Sequence, residues 1–120
     1  MRNKENEINR LNFEDWLFII IIVLTIVNIF SDQLQKKYIL TNNKKYIEKS
    51  TELFIITLII AIFIYLYFVK RNYNLYKQSS KENKMLFGIK LLGSILIVVG
   101  TILLLYFQIN DSDFIGPPAI

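Results

Sequence analysis

Leu53-Phe54-Ile55-Ile56-Thr57-Leu58-Ile59-Ile60-Ala61-Ile62-Phe63-Ile64-Tyr65-Leu66-Tyr67-Phe68-Val69 lies between Glu52 and Lys70 and contains no charged side chain. A helix needs about 20 apolar residues, with a range of about 17 to 25, to cross the hydrocarbon core of a bilayer. The run meets that requirement. In hydrocarbon each unpaired backbone amide costs several kcal/mol, so a span must be a helix or part of a closed barrel. Barrel strands are about 10 residues long and alternate apolar with polar side chains. This run is longer and does not alternate, so it reads as a membrane helix.

Upstream, Trp16 to Ser31 is free of charge between Asp15 and Asp32. It is slightly short, and Asn12, Phe13 and the headgroup depth make up the difference. Asn12 is expected to cap this helix, with Glu14 and Asp15 in its first turn, where the helix dipole favours acids. Downstream, Leu91 to Asn110 is also charge-free, and Met85, Leu86, Phe87 and Ile89 extend it backwards. Lys90 lies one turn inside, from where its long stem can snorkel to the headgroups. Ser79 followed by Glu82 reads as a capping box, which starts this helix before the membrane.

The link from Asp32 to Glu52 has no Gly or Pro. Helix one is expected to continue to about Leu40, turn at Thr41-Asn42-Asn43 and return as helix two, a long helical hairpin. The connection from Lys70 to Lys84 is expected to be helical through Tyr76. Residues 111–120, ending Gly116-Pro117-Pro118-Ala119-Ile120, form an extended tail because paired prolines stop a helix. The fold class is all-α: one domain over 1–120, an integral membrane bundle of three helices with spans at about 14–33, 52–70 and 86–108.

Composition agrees. Of the 120 residues 53% are hydrophobic and 20% charged, but the charges sit in clusters rather than along each helix, as a soluble bundle would need. There is no Cys and no His, which removes disulfides, thiol nucleophiles and thiolate or imidazole metal ligands. Asp111 and Asp113 are too few for a hard cation, which takes about six oxygen ligands or more. Glu14 and Asp15 are adjacent and point to different sides of a helix, so they are not a catalytic pair. No nucleophile–base set and no phosphate-binding glycine loop is present. No enzyme activity, metal or cofactor is expected. The abundance of Ile, Lys and Asn with scarce Ala matches an AT-rich bacterial genome and hence a cytoplasmic membrane. Acidic residues before the first run, and no A-x-A-like site after Phe30, argue against a cleaved signal peptide.

Short cytoplasmic loops carry excess Lys and Arg. The amino-terminal arm has Arg2, Lys4 and Arg10, and the first loop has Lys36, Lys37, Lys44, Lys45 and Lys49. The second has Lys70, Arg71, Lys77, Lys81 and Lys84, with Lys90 just beyond, and the tail after Asn110 has none. An inside N-terminus puts nine basic residues in the cytoplasm against five outside. The expected orientation is N-terminus cytoplasmic and C-terminus outside. Trp16, Tyr65 and Tyr67 at one boundary, and Tyr106 and Phe107 at the other, fit aromatic belts.

Gly93 and Gly100 share a helix face, with Ser94 and Thr101 beside them at the same spacing, and Thr57 and Ala61 form a small-xxx-small pair on helix two. Small residues let helix backbones approach closely in lipid, within the bundle or with a partner. Asn28 is the most polar side chain deep in a span and is expected to find a hydrogen-bond partner on a neighbouring helix. Lys70, Arg71, Lys77, Lys81, Lys84 and Lys90 read as a membrane-surface basic set facing anionic headgroups rather than nucleic acid. The expected partners are the bilayer and another membrane protein or a second copy. The expected role is a non-enzymatic subunit, scaffold or modulator. An oligomeric pore or small transporter subunit lined by Asn28, Thr25 and Thr57 is the alternative, and an immunity- or holin-like protein a third.

Overall fold

The computed structural model describes residues 3–111 and 114–116. Arg2, Ser112, Asp113 and the Pro117–Ile120 end of the expected tail lie outside them. Three helices follow in order: α1 (Lys4–Thr41), α2 (Lys44–Gln78) and α3 (Lys84–Asn110). There is no strand among the described residues. Each helix is long and apolar enough to cross a membrane.

α1 starts well before Asn12. Asn3 is its cap, accepting from the Asn6 backbone N–H at 3.2 Å, and Glu5 and Glu7 sit in the first turn where the dipole favours them. Asn12 is therefore an interior helical residue, because nothing between Lys4 and Leu11 breaks the helix. At about 1.5 Å per residue the 38-residue α1 is about 57 Å long, well beyond a hydrocarbon core of about 30 Å, and the molecule measures 62 Å along its long axis. Its ends project from the span.

The hairpin turn falls at the expected residues. Asn42 takes the left-handed conformation (φ 56°), which Asn tolerates better than most residues, and its N–H closes α1 on the Tyr38 carbonyl at 2.7 Å. Asn43 then caps α2 through the Lys45 N–H at 3.1 Å. The second connection differs from expectation. Ser79 ends α2 rather than starting α3: its hydroxyl donates to the Tyr76 carbonyl at 2.6 Å and so is committed to the helix behind it. Asn83 stands at the start of α3 without a side-chain cap.

α2 is the central element. It packs against α1 on one side and α3 on the other, while the Cα traces of α1 and α3 stay more than 8 Å apart among the described residues. The bundle is consequently flat, 26 Å by 15 Å across. A groove floored by α2 runs between the two outer helices.

Among the described residues ten buried ones are polar or charged and six are apolar, whereas Ile22, Ile26, Phe63, Leu96 and Leu103 are each more than half exposed. That distribution would be untenable in water, where large exposed apolar patches are rare. In lipid it is the expected one, because apolar side chains gain nothing by leaving the hydrocarbon and polar ones seek partners inside.

Candidate functional site

A charge cluster joins α1 to α2 at the end of the bundle opposite the hairpin turn. Glu14 is only 4% exposed. Arg71 Nη1 donates to its Oε1 at 2.7 Å, and the Tyr67 hydroxyl donates to its Oε2 at 3.1 Å. Arg10, one turn earlier on α1, holds its Nε 3.8 Å from the same oxygen, an ion-pair distance without a hydrogen bond. Arg71 directs Nε and Nη2 at the buried Asn72 Oδ1, at 3.2 and 3.0 Å, and its guanidinium lies over the Phe68 ring at 4.9 Å. A single acid is thus held among two cations, a phenol and an amide. With both oxygens taken by donors, this carboxylate is poorly placed to act as a base. The arrangement locks helices together.

Arg71 was grouped from sequence with the headgroup-facing basic residues, but it turns inward to Glu14. Glu14, read as a dipole-compensating acid of a first turn, is instead in mid-helix and paired. Tyr67 likewise directs its hydroxyl at Glu14. A signal for this pair exists in the sequence. Glu14 is 28 residues before Asn42 and Arg71 is 28 after Asn43, so a hairpin turning there brings them level. Asn28 and Thr57, 14 residues before and after the same turn, meet for the same reason.

Thr57 Oγ1 lies 3.1 Å from Asn28 Oδ1 and 2.8 Å from the Phe54 carbonyl. One hydroxyl proton cannot serve both acceptors fully. Turning the Asn28 amide would let its Nδ2 donate to Thr57 while Thr57 donates to Phe54. Thr25 donates to the Ile21 carbonyl at 2.9 Å. The hydroxyls assigned to a pore lining therefore have protein partners. Thr57, Ala61, Asn28 and Thr101 line a cavity of about 150 Å³ between the three helices.

On α3, Ser94 and Thr101 are buried and bond back to their own helix, to Leu91 and Ile97 carbonyls, both at 2.7 Å. Gly93 and Gly100 behave differently. A Cβ at either would meet nothing within 4 Å, so no backbone in the chain uses them for close approach. The close approach is at Gly88, whose Cβ position lies 3.4 Å from the Tyr76 ring. Lys70, Lys81 and Lys90 are exposed, while Lys77 and Lys84 sit over the Tyr73 and Tyr76 rings at 5.2 and 5.0 Å.

At the hairpin end of the bundle, the buried Gln35 amide clasps the chain beyond α3. Its Nε2 donates to the Phe114 carbonyl at 3.4 Å and its Oε1 accepts from the Gly116 N–H at 2.8 Å. The Phe107 and Phe114 rings meet edge to face at 5.3 Å. Residues 114–116 therefore return to α1.

No family model, curated protein or solved structure matches this chain, so the reading of the site stands on its own residues.

Proposed function

We propose that this chain is a small, non-enzymatic protein of the cytoplasmic membrane that serves as a subunit, scaffold or modulator by presenting one face of α3 to a membrane helix of a partner or of a second copy. The observation that carries this reading is the open ground over Gly93 and Gly100. The two glycines lie in a stripe with Ile89, Leu96, Leu103 and Phe107, whose spacings of four and three residues repeat as in a left-handed helix pair. Those four side chains are between 41% and 64% exposed, so the stripe faces away from α2. A bulky residue at Gly100 has room within the chain and would obstruct a helix arriving from outside, while Gly93 lies at the rim of the groove between α1 and α3.

The absence of Cys and His from the sequence, and the commitment of the Glu14 carboxylate to Arg71 and Tyr67, support a role without chemistry. The excess of basic residues in the amino-terminal arm and second connection supports an N-terminus in the cytoplasm and a C-terminus outside.

Crosslinking from Leu96→Cys and Leu103→Cys in native membranes tests the reading. A discrete adduct is expected from both positions, lost on adding Gly100→Leu, with Phe63→Cys on the lipid-facing side of α2 as the control. Equal yields from Leu96→Cys with and without Gly100→Leu would dismiss the α3 face.

A further inference from the structure

The groove between α1 and α3 opens at its charged end into a cavity of about 420 Å³. Its two ends differ in chemistry. Arg71, Asn72 and Lys90 line one end, and Phe18, Ile21 and Ile97 line the other. Lys90 is exposed and makes no hydrogen bond or ion pair among the described residues, although it sits inside the apolar run of α3. Arg71 has its donors committed to Glu14 and Asn72 but keeps its charge beside the opening. Arg71 and Lys90 line this end, and with Glu14 paired to Arg71 one positive charge is left uncompensated. Three residues past Lys90, Gly93 puts no side chain in the way.

The occupant that fits carries a negative charge and an apolar chain on one molecule. We propose that the groove binds an anionic glycerophospholipid, its phosphate at Lys90 with the Arg71 charge behind, and one acyl chain lying past Gly93 against Phe18, Ile21 and Ile97. Size favours lipid over a protein helix. A helix about 10 Å across would fill the cavity in about one turn, whereas the same volume takes a chain one carbon wide along much of the groove. The phosphate level also matches the place where the Lys90 stem must end if its ammonium is to leave the hydrocarbon. The site adjoins the proposed partner face at Gly93, which borders both, while Lys90, Ser94 and Ile97 line the groove and Leu96 and Leu103 face away.

Native mass spectrometry of the full chain, released from nanodiscs of equimolar phosphatidylglycerol and phosphatidylcholine, tests the proposal. The wild type should retain phosphatidylglycerol in preference to phosphatidylcholine. Lys90→Gln should reduce that preference about fivefold, which corresponds to about 1 kcal/mol for one basic residue at an anionic surface. Gly93→Leu should fill the groove and reduce retention of both lipids. Lys81→Gln, an exposed lysine outside the cavity, should match the wild type. Equal retention of the two lipids by the wild type, or identical behaviour of Lys90→Gln and Lys81→Gln, overturns the proposal. Lys90→Gln leaves α3 crosslinking untouched, so failure here is distinguishable from failure of the partner reading.

Discussion

Replacing Arg71 with Met should be among the most damaging single changes in this protein. The side chains of Glu14 and Arg71 are 5% and 19% exposed, and their charged atoms meet at 2.7 Å. Removing one partner of such a pair leaves the other charge buried, at a cost of about 3 to 5 kcal/mol, whereas an exposed pair is worth about 1 kcal/mol or less. In Arg71→Met the Glu14 carboxylate would keep the Tyr67 hydroxyl and the Arg10 charge at 3.8 Å. Those contacts place the expected loss at the lower end, about 3 kcal/mol.

Glu14→Gln is milder in shape but leaves Arg71 uncompensated, and should lose about 2 kcal/mol or more. Glu14→Met combined with Arg71→Met removes both charges and should be more stable than Arg71→Met alone, because the desolvation term disappears with the pair. The assay is equilibrium unfolding in detergent micelles, followed by helical circular dichroism as a double-mutant cycle. A loss below about 1 kcal/mol for Arg71→Met, or strict additivity in the cycle, would mean that the pair is a solvated surface contact and that the cluster does not hold α1 to α2.

Asn28→Leu should destabilise the hairpin by about 0.6 kcal/mol, as for an average interhelical hydrogen bond in a membrane, and Thr57→Val should add little on top of it; the same unfolding assay reads both. Asn42→Ala should cost about 1 kcal/mol because Ala resists the left-handed conformation at φ 56°, while Asn42→Gly should be neutral or stabilising, so a result of equal size and sign for the two refutes the turn geometry. Ser112→Cys should react with an impermeant thiol reagent in intact cells; labelling only after the membrane is broken reverses the orientation.

Much of this fold was legible because membrane helices announce themselves by length. Three charge-free runs fixed the helices, and Thr41-Asn42-Asn43 fixed the turn, since two successive Asn residues suit a left-handed stop followed by a cap. The helix starts were misplaced for a physical reason. Asn12 and Ser79 are good capping types, but a cap acts only where the chain is not already helical. Lys4 to Leu11 offers no break before Asn12, and the Ser79 hydroxyl is drawn to the carbonyl of Tyr76. The Glu14–Arg71 pair was hidden by reading each charge cluster locally, as loop topology, when equal distance from the turn already paired them. What sequence could not supply is which helix lies in the middle. Gly93 and Gly100 carry the same spacing whether they meet α1, α2 or an outside helix, and only the flat arrangement around α2 leaves them open.

The same arrangement makes the two helix interfaces unequal. α1 and α2 are joined covalently by a two-residue turn, by the Asn28–Thr57 hydrogen bond at mid-depth and by the Glu14–Arg71 pair at the far end. These fasteners occupy three levels along the hairpin and fix its register. On α3 the buried Ser94 and Thr101 spend their hydroxyls on their own carbonyls, and the contact with α2 is carried by packing around residues such as Val98 and Gly88. In lipid the α2–α3 contact rests on close packing, and the α1–α2 contact on packing together with these polar fasteners. Register along the hairpin is therefore set by specific polar pairs, whereas α3 takes its place by its packing on α2 and by the Gln35 clasp on the chain beyond it.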